Sequence, residues 1–154
     1  MDWNMIGAIS TASMAVVILC TAIFAVLQLK EVSRSRKVTA FMNLSQFLQQ
    51  QEIREARGAL IQASGKDLKD WSQDEIKAAE KACSSYDVAG IMVSRKLIER
   101  DLIVNEWRDS IIKCWEAAKP MIIEYRRNRG EDFWNDFGSL YEMALKIGTV
   151  HKKE

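Results

Sequence analysis

The chain has one histidine, one proline, seven glycines and three cysteines in 154 residues. His151 stands alone in the terminal "GTVHKKE", so a His-based triad, an H-E-x-x-H metal site and a Cys/His nucleophile pair each lack a member. Cys20, Cys83 and Cys114 are widely spaced, odd in number and without a C-x-x-C, which suggests neither a disulfide framework nor zinc and fits reduced thiols in a cytosolic domain. The glycine-rich phosphate loops are missing too: Gly65-Lys66 is followed by Asp67 in a polar stretch with no strand before it. With 22 basic and 21 acidic residues, a net charge of +1 gives no global field to draw the chain onto nucleic acid. We expect no nucleic acid, metal or cofactor, and no enzymatic activity.

One further absence is local. Between Asp2 and Lys30 no side chain is charged. As a helix, Trp3 to Leu29 would be about 40 Å long, enough to cross a hydrocarbon core of about 30 Å. A signal peptide would place its positive charge before the apolar run; here Lys30, Arg34, Arg36 and Lys37 follow it. Basic residues that flank a span stay in the cytoplasm, where anionic lipid also favours them. The sequence therefore predicts a single-pass membrane protein with its N-terminus outside, residues 30–154 in the cytosol and Trp3 at the outer interface. Residues 1–37 form the anchor with its basic segment, and residues 38–154 the cytosolic domain.

Polar and small residues interrupt the apolar run on one side. Gly7, Met14, Thr21 and Gln28 share one heptad position, and Ser10, Val17 and Phe24 share another, with Ser13 nearby. Small and hydroxyl residues in a stripe let membrane helices approach and hydrogen-bond one another, so this face is a candidate for self-association or for lining a narrow pore. A plain anchor, whose hydroxyls bond back to their own helix, remains open beside both.

Beyond the span no proline occurs before Pro120, and the first helix is expected to continue as a stalk with Val38, Phe41, Leu44 and Leu48 on one face. A break near residues 50–52 frees "EIREARGALIQAS" as a second helix with Ile53, Ala56 and Leu60 inward, while Glu52, Arg54, Glu55 and Arg57 read as surface pairs. After the loop "SGKDLKDWSQDE", Ser72 and Glu75 make a capping box that starts a third helix, with Cys83, Tyr86, Gly90, Val93 and Leu97 on its inner face. "RDLIVNEW" reads as a turn. A fourth helix follows, with Trp107, Ile111, Cys114 and Trp115 inward and a bend or end at Pro120. Gly130 closes it, and "EDFWNDFGSLYEMALKIG" supplies the last, through Phe133, Phe137, Leu140, Tyr141 and Leu145. No segment alternates with period two, so the fold class is all-α: one transmembrane helix continuing into a cytosolic bundle of four to five helices.

Arg126, Arg127 and Arg129 end the fourth helix, where cations complement its dipole and where a phosphate, lipid headgroup or acidic partner could also bind. Arg127-Asn128 opens the pattern of HEPN-type ribonucleases, but no histidine follows at the required distance. The carboxylates form no E-x-x-H pair for a di-iron site, and Trp71, Trp107, Trp115 and Trp134 at helical spacing read as core.

Several motifs lie in a distinctive order: the Arg54/Arg57 pair, the "ERDLI" around Asp101, the Trp115 helix ending in Arg126 and Arg127, and the "FW-x-x-F" of Phe133, Trp134 and Phe137. With the N-terminal span, this order resembles a widespread bacterial family of small membrane-anchored helical proteins catalogued as a domain of unknown function. The resemblance covers most of the chain and implies the anchor and the helical fold, with no catalytic residue. The expected function is that of a scaffold, sensor or effector bound to the lipid bilayer, working as a homo-oligomer and through another membrane or cytosolic protein. A homo-oligomeric pore, as in a membrane-disrupting defence effector, and a phosphate-directed enzyme using Arg126 and Arg127 are the alternatives.

Overall fold

The computed structural model describes residues 3–150, with side chains from residue 14 to residue 147. Helix α1 spans Trp3–Gln49, α2 Gln51–Gln62, α3 Gln73–Ser94, α4 Arg100–Arg129 and α5 Asn135–Val150; a 3-10 turn covers Leu68–Asp70. No strand occurs among the described residues. The chain divides into two compact units, Met1–Val38 and Thr39–Glu154.

In the first unit the described side chains are almost all exposed, apolar ones included: Ile18 is 68% and Leu29 69% accessible. The second unit is built conventionally. Gln50, with φ −54° and ψ 139°, leaves the helical region and separates α1 from α2 at the expected break. The end of α1 contributes Leu44 and Leu48 to the core, with Phe41 partly buried; Val38, expected on that face, is 51% exposed because the core begins one turn later.

Helix α3 starts at the predicted box. The Ser72 hydroxyl accepts from the Glu75 amide at 3.2 Å and the Glu75 carboxylate accepts from the Ser72 amide at 2.8 Å. Lys66 lies 2.6 Å from the same carboxylate and, with the Ser72 amide, lowers its pKa to about 2. Helix α3 packs against α2, α4 and α5, and α4 packs against α2 and α5. Gly90 permits a close approach of α3 to α5: a Cβ there would collide with the carbonyl oxygen of Asp136. At the centre Phe137 is sealed off between the Tyr86 ring, stacked at 5.3 Å, and the edge of Trp115 at 4.9 Å.

The structure corrects the sequence reading at several places in this unit. "RDLIVNEW" is no turn but the first two turns of α4, since Ile103, Val104, Trp107 and Ile111 already hold helical spacing and are buried. The reversal comes earlier. Lys96 takes φ 59°, its amide donates to the Val93 carbonyl, and the Leu97 amide donates to the Met92 carbonyl, a Schellman ending to α3 that leaves Leu97 beyond the helix and 52% exposed. Pro120 does not end α4. It lies on the solvent side four residues after exposed Glu116, whose carbonyl a proline nitrogen cannot serve, while buried Ala117, Ala118, Met121 and Ile122 hold the helix on both sides. Finally, Phe133 precedes α5 rather than lying on it, and Leu145 is 36% exposed.

Candidate functional site

On the N-terminal unit, Val17, Thr21, Phe24 and Gln28 are all exposed along α1. The Thr21 hydroxyl donates to the Val17 carbonyl at 2.8 Å, which uses its proton within the helix and leaves its oxygen able to accept. Gly7, Ser10 and Ser13, like His151, lie outside the residues whose side chains are described. Lys30, Arg34 and Arg36 are exposed and Lys37 half-buried. From Met14 to Gln49 the helix has a window of mean hydropathy 2.0 that is 0% buried within the fold, long and apolar enough to cross a membrane.

The three arginines at the end of α4 have separate duties. Arg126 Nε donates to the Phe133 carbonyl at 3.0 Å while its guanidinium lies 5.6 Å from the Trp115 ring. Arg129 lies over Tyr125 at 4.5 Å and over Phe133 at 5.2 Å. Arg127 lies against no ring and is 3.0 Å from Glu124. Around them Tyr125 stacks on Trp134 at 5.5 Å and donates its hydroxyl to Glu80 at 2.6 Å, and Trp134 is held at φ 54°, unusual for a bulky side chain. The corner fixes the entry to α5. On the other side of that helix start, Asp87 accepts the Phe137 amide at 3.0 Å and serves as an N-terminal cap from a neighbouring helix; burial pushes its carboxyl pKa up.

The most unusual group is one the sequence reading placed on the surface. Arg57 is only 7% exposed. Its Nη1 donates to the Leu48 carbonyl at 2.8 Å, so it satisfies a carbonyl at the end of α1 from the helix that follows. Its guanidinium lies 5.0 Å from the Trp107 ring and 5.7 Å from the Tyr86 ring, where flat aromatic faces and a helix C-terminus together compensate a desolvated cation. Tyr86 in turn donates to Ser110 at 2.7 Å. The spacing carries the signal: Ile53, Arg57 and Leu60 fall on one arc of α2, and only the charge of the arginine speaks for the surface.

Two thiols belong to this core. Burial raises the pKa of Cys83 well above the usual range and that of Cys114 to about 11, so both stay protonated and unreactive. Among the described residues no three His, Cys, Asp or Glu side chains are placed to hold a metal ion.

These features, from the exposed apolar helix to the Phe133–Trp134–Phe137 corner, fall within one sequence family. A family model described as a domain of unknown function, DUF4760, matches residues 15–144. The chain belongs to the DUF4760 family. No curated protein and no solved structure matches it. The match takes in most of the apolar helix, the Arg57 clamp and the first part of α5, so the apolar helix and the bundle both fall within the one DUF4760 match.

Proposed function

We propose that this DUF4760 protein is a single-pass protein of the bacterial inner membrane that acts by association, with copies of itself and with another protein through its cytosolic helical domain. The observation that carries the reading is the exposed apolar helix running directly into Lys30, Arg34, Arg36 and Lys37. Exposing that much apolar surface to water would be costly, whereas lipid accepts it, and the basic residues then hold the following segment at the cytoplasmic face. The polar groups of the domain support contact rather than turnover. Arg57, Asp87 and Arg126 are each engaged in holding a helix end. We prefer this reading to a pore because the Thr21 proton is used inside its own helix. Arg126 and Arg129 lying against aromatic rings likewise favour it over a phosphate-directed enzyme.

The test is made on the full chain in bacterial membranes. The protein is expected to stay in the pellet after alkaline carbonate, to keep its cytosolic domain intact when protease is added to spheroplasts, and to give in detergent a mass of two or more chains by light scattering. Release by carbonate would contradict the anchor, digestion in spheroplasts the orientation, and a monomeric mass the association.

A further inference from the structure

We infer that two copies of this chain pair in parallel along one defined face of α1, with Ile18, Thr21, Ala25, Gln28, Val32 and Ser35 in the seam and Glu31 of each copy bonded to Arg36 of the other. The inference rests on the reading of α1 as a membrane span and gives that reading a partner, a face and a register.

Thr21, Gln28 and Ser35 recur every seven residues and need a second column to make a packing seam. Two columns are available. Val17 and Phe24 lead to Glu31, which would put a carboxylate in the contact; Ile18 and Ala25 lead to Val32, which keeps the seam free of charge from residue 18 to residue 35. Every residue of this second choice is exposed in the single chain, Val32 by 47%. The charges around it are sorted accordingly. Lys30, Arg34 and Lys37 take heptad positions on the far side of the helix from the seam. Glu31 and Arg36 take the two positions that border the seam, five residues apart.

That spacing is informative. Within one helix, residues five apart lie about 140° around the axis, so Glu31 and Arg36 cannot meet in their own chain. Across a parallel two-stranded contact, the acidic border position meets the basic border position five residues on in the second helix. One pairing serves each direction, so the twofold arrangement satisfies both copies. Antiparallel pairing would separate these groups, and two anchors inserted with the same orientation are parallel by construction. Ala25 lets the backbones approach, while Gln28 can hydrogen-bond across the seam and penalise a shifted register.

The experiment uses the full chain in native membranes with Cys20, which faces away from the seam, replaced by serine; Cys83 and Cys114 are buried and stay. Single cysteines are placed at Val32 and Ser35 in the seam and at Ser33 and Lys37 outside it, and disulfide formation is driven with copper phenanthroline. Dimers are expected from Val32→Cys and Ser35→Cys and not from the other two. Equal cross-linking at all four positions, or none in the seam, overturns the proposal. Charge reversal gives a second readout by light scattering in detergent: Glu31→Arg alone should weaken the dimer about fivefold, and the double change Glu31→Arg with Arg36→Glu should restore it. Failure of the double change to restore pairing also overturns the proposal. Carbonate extraction of the same membranes separates the two claims: a retained chain without seam cross-links sinks only this inference, and a released chain sinks the anchor with it.

Discussion

The two units of this chain use the same apolar side chains to opposite ends. In residues 14–38 valine, isoleucine, leucine and phenylalanine are turned outward around a single helix; beyond Thr39 the same residue types are packed into a core shared by the helices of the bundle. Burial in the second unit removes apolar surface from water at about 25 cal/mol per Å², and the first unit gains nothing of the kind from its own fold. On the membrane reading proposed above, the difference teaches that the two units answer to different solvents, and that a helix whose apolar face stays unburied through about seven turns draws its stability from lipid.

The comparison can be broken at matched phenylalanines. Phe137→Ala in the bundle should cost about 3–5 kcal/mol, whereas Phe24→Ala should leave the bundle's Tm within about 1 °C, both by thermal unfolding of the full chain in detergent. Next in size is Arg57→Ala, expected to cost about 3 kcal/mol because the Leu48 carbonyl is orphaned and the Trp107 and Tyr86 faces are left open. Arg57→Lys should recover little of it, since an ammonium cannot stack as the planar fork does. Chemical denaturation midpoints decide this, and full recovery by lysine would show that charge alone suffices.

Ser72→Ala should cost about 1 kcal/mol by loss of the cap, and the pH dependence sharpens its meaning. Glu75 has a folded pKa lowered to about 2 from an ordinary 4.5 by Lys66 and the Ser72 amide. Its contribution is therefore full above pH 4.5 and is lost as the pH falls through about 2. Glu75→Gln should flatten the stability curve in that window and leave it unchanged in shape above pH 5. The smallest effect has the opposite sign: Lys96→Gly should stabilise the bundle by about 0.5–1 kcal/mol, because Lys96 adopts φ 59°, a region in which glycine meets no steric cost.

Much of the fold was legible because local chemistry carried it. The Ser72–Glu75 box, the break at Gln50, Gly130 at φ 117° and the uncharged run before Lys30 are all written within a few residues of where they act. What escaped depends on contacts distant in sequence. Nothing around Gly90 announces Asp136, and nothing near Asp87 announces the Phe137 amide fifty residues on. "RDLIVNEW" reads as a turn although Ile103, Val104 and Trp107 already hold helical spacing, and Arg57 reads as exposed from its charge although Ile53 and Leu60 flank it on the same arc. Of the candidate site residues, Arg126, Arg127 and Arg129 were located by sequence, but that two of the three lie against the rings of Trp115, Tyr125 and Phe133 depends on side-chain directions along α4 and on the turn after Gly130.

The measurement that bears most directly on the account is the accessibility of Cys20, exposed on the helix and eighteen residues before Val38. Inverted membrane vesicles carrying either the full chain or its Ser33→Cys variant are treated with a membrane-impermeant maleimide and weighed intact. The account predicts that position 33 labels while Cys20 stays unlabelled until the vesicles are dissolved. Labelling of Cys20 in sealed vesicles at the rate of position 33 would place this helix in water and contradict the anchor.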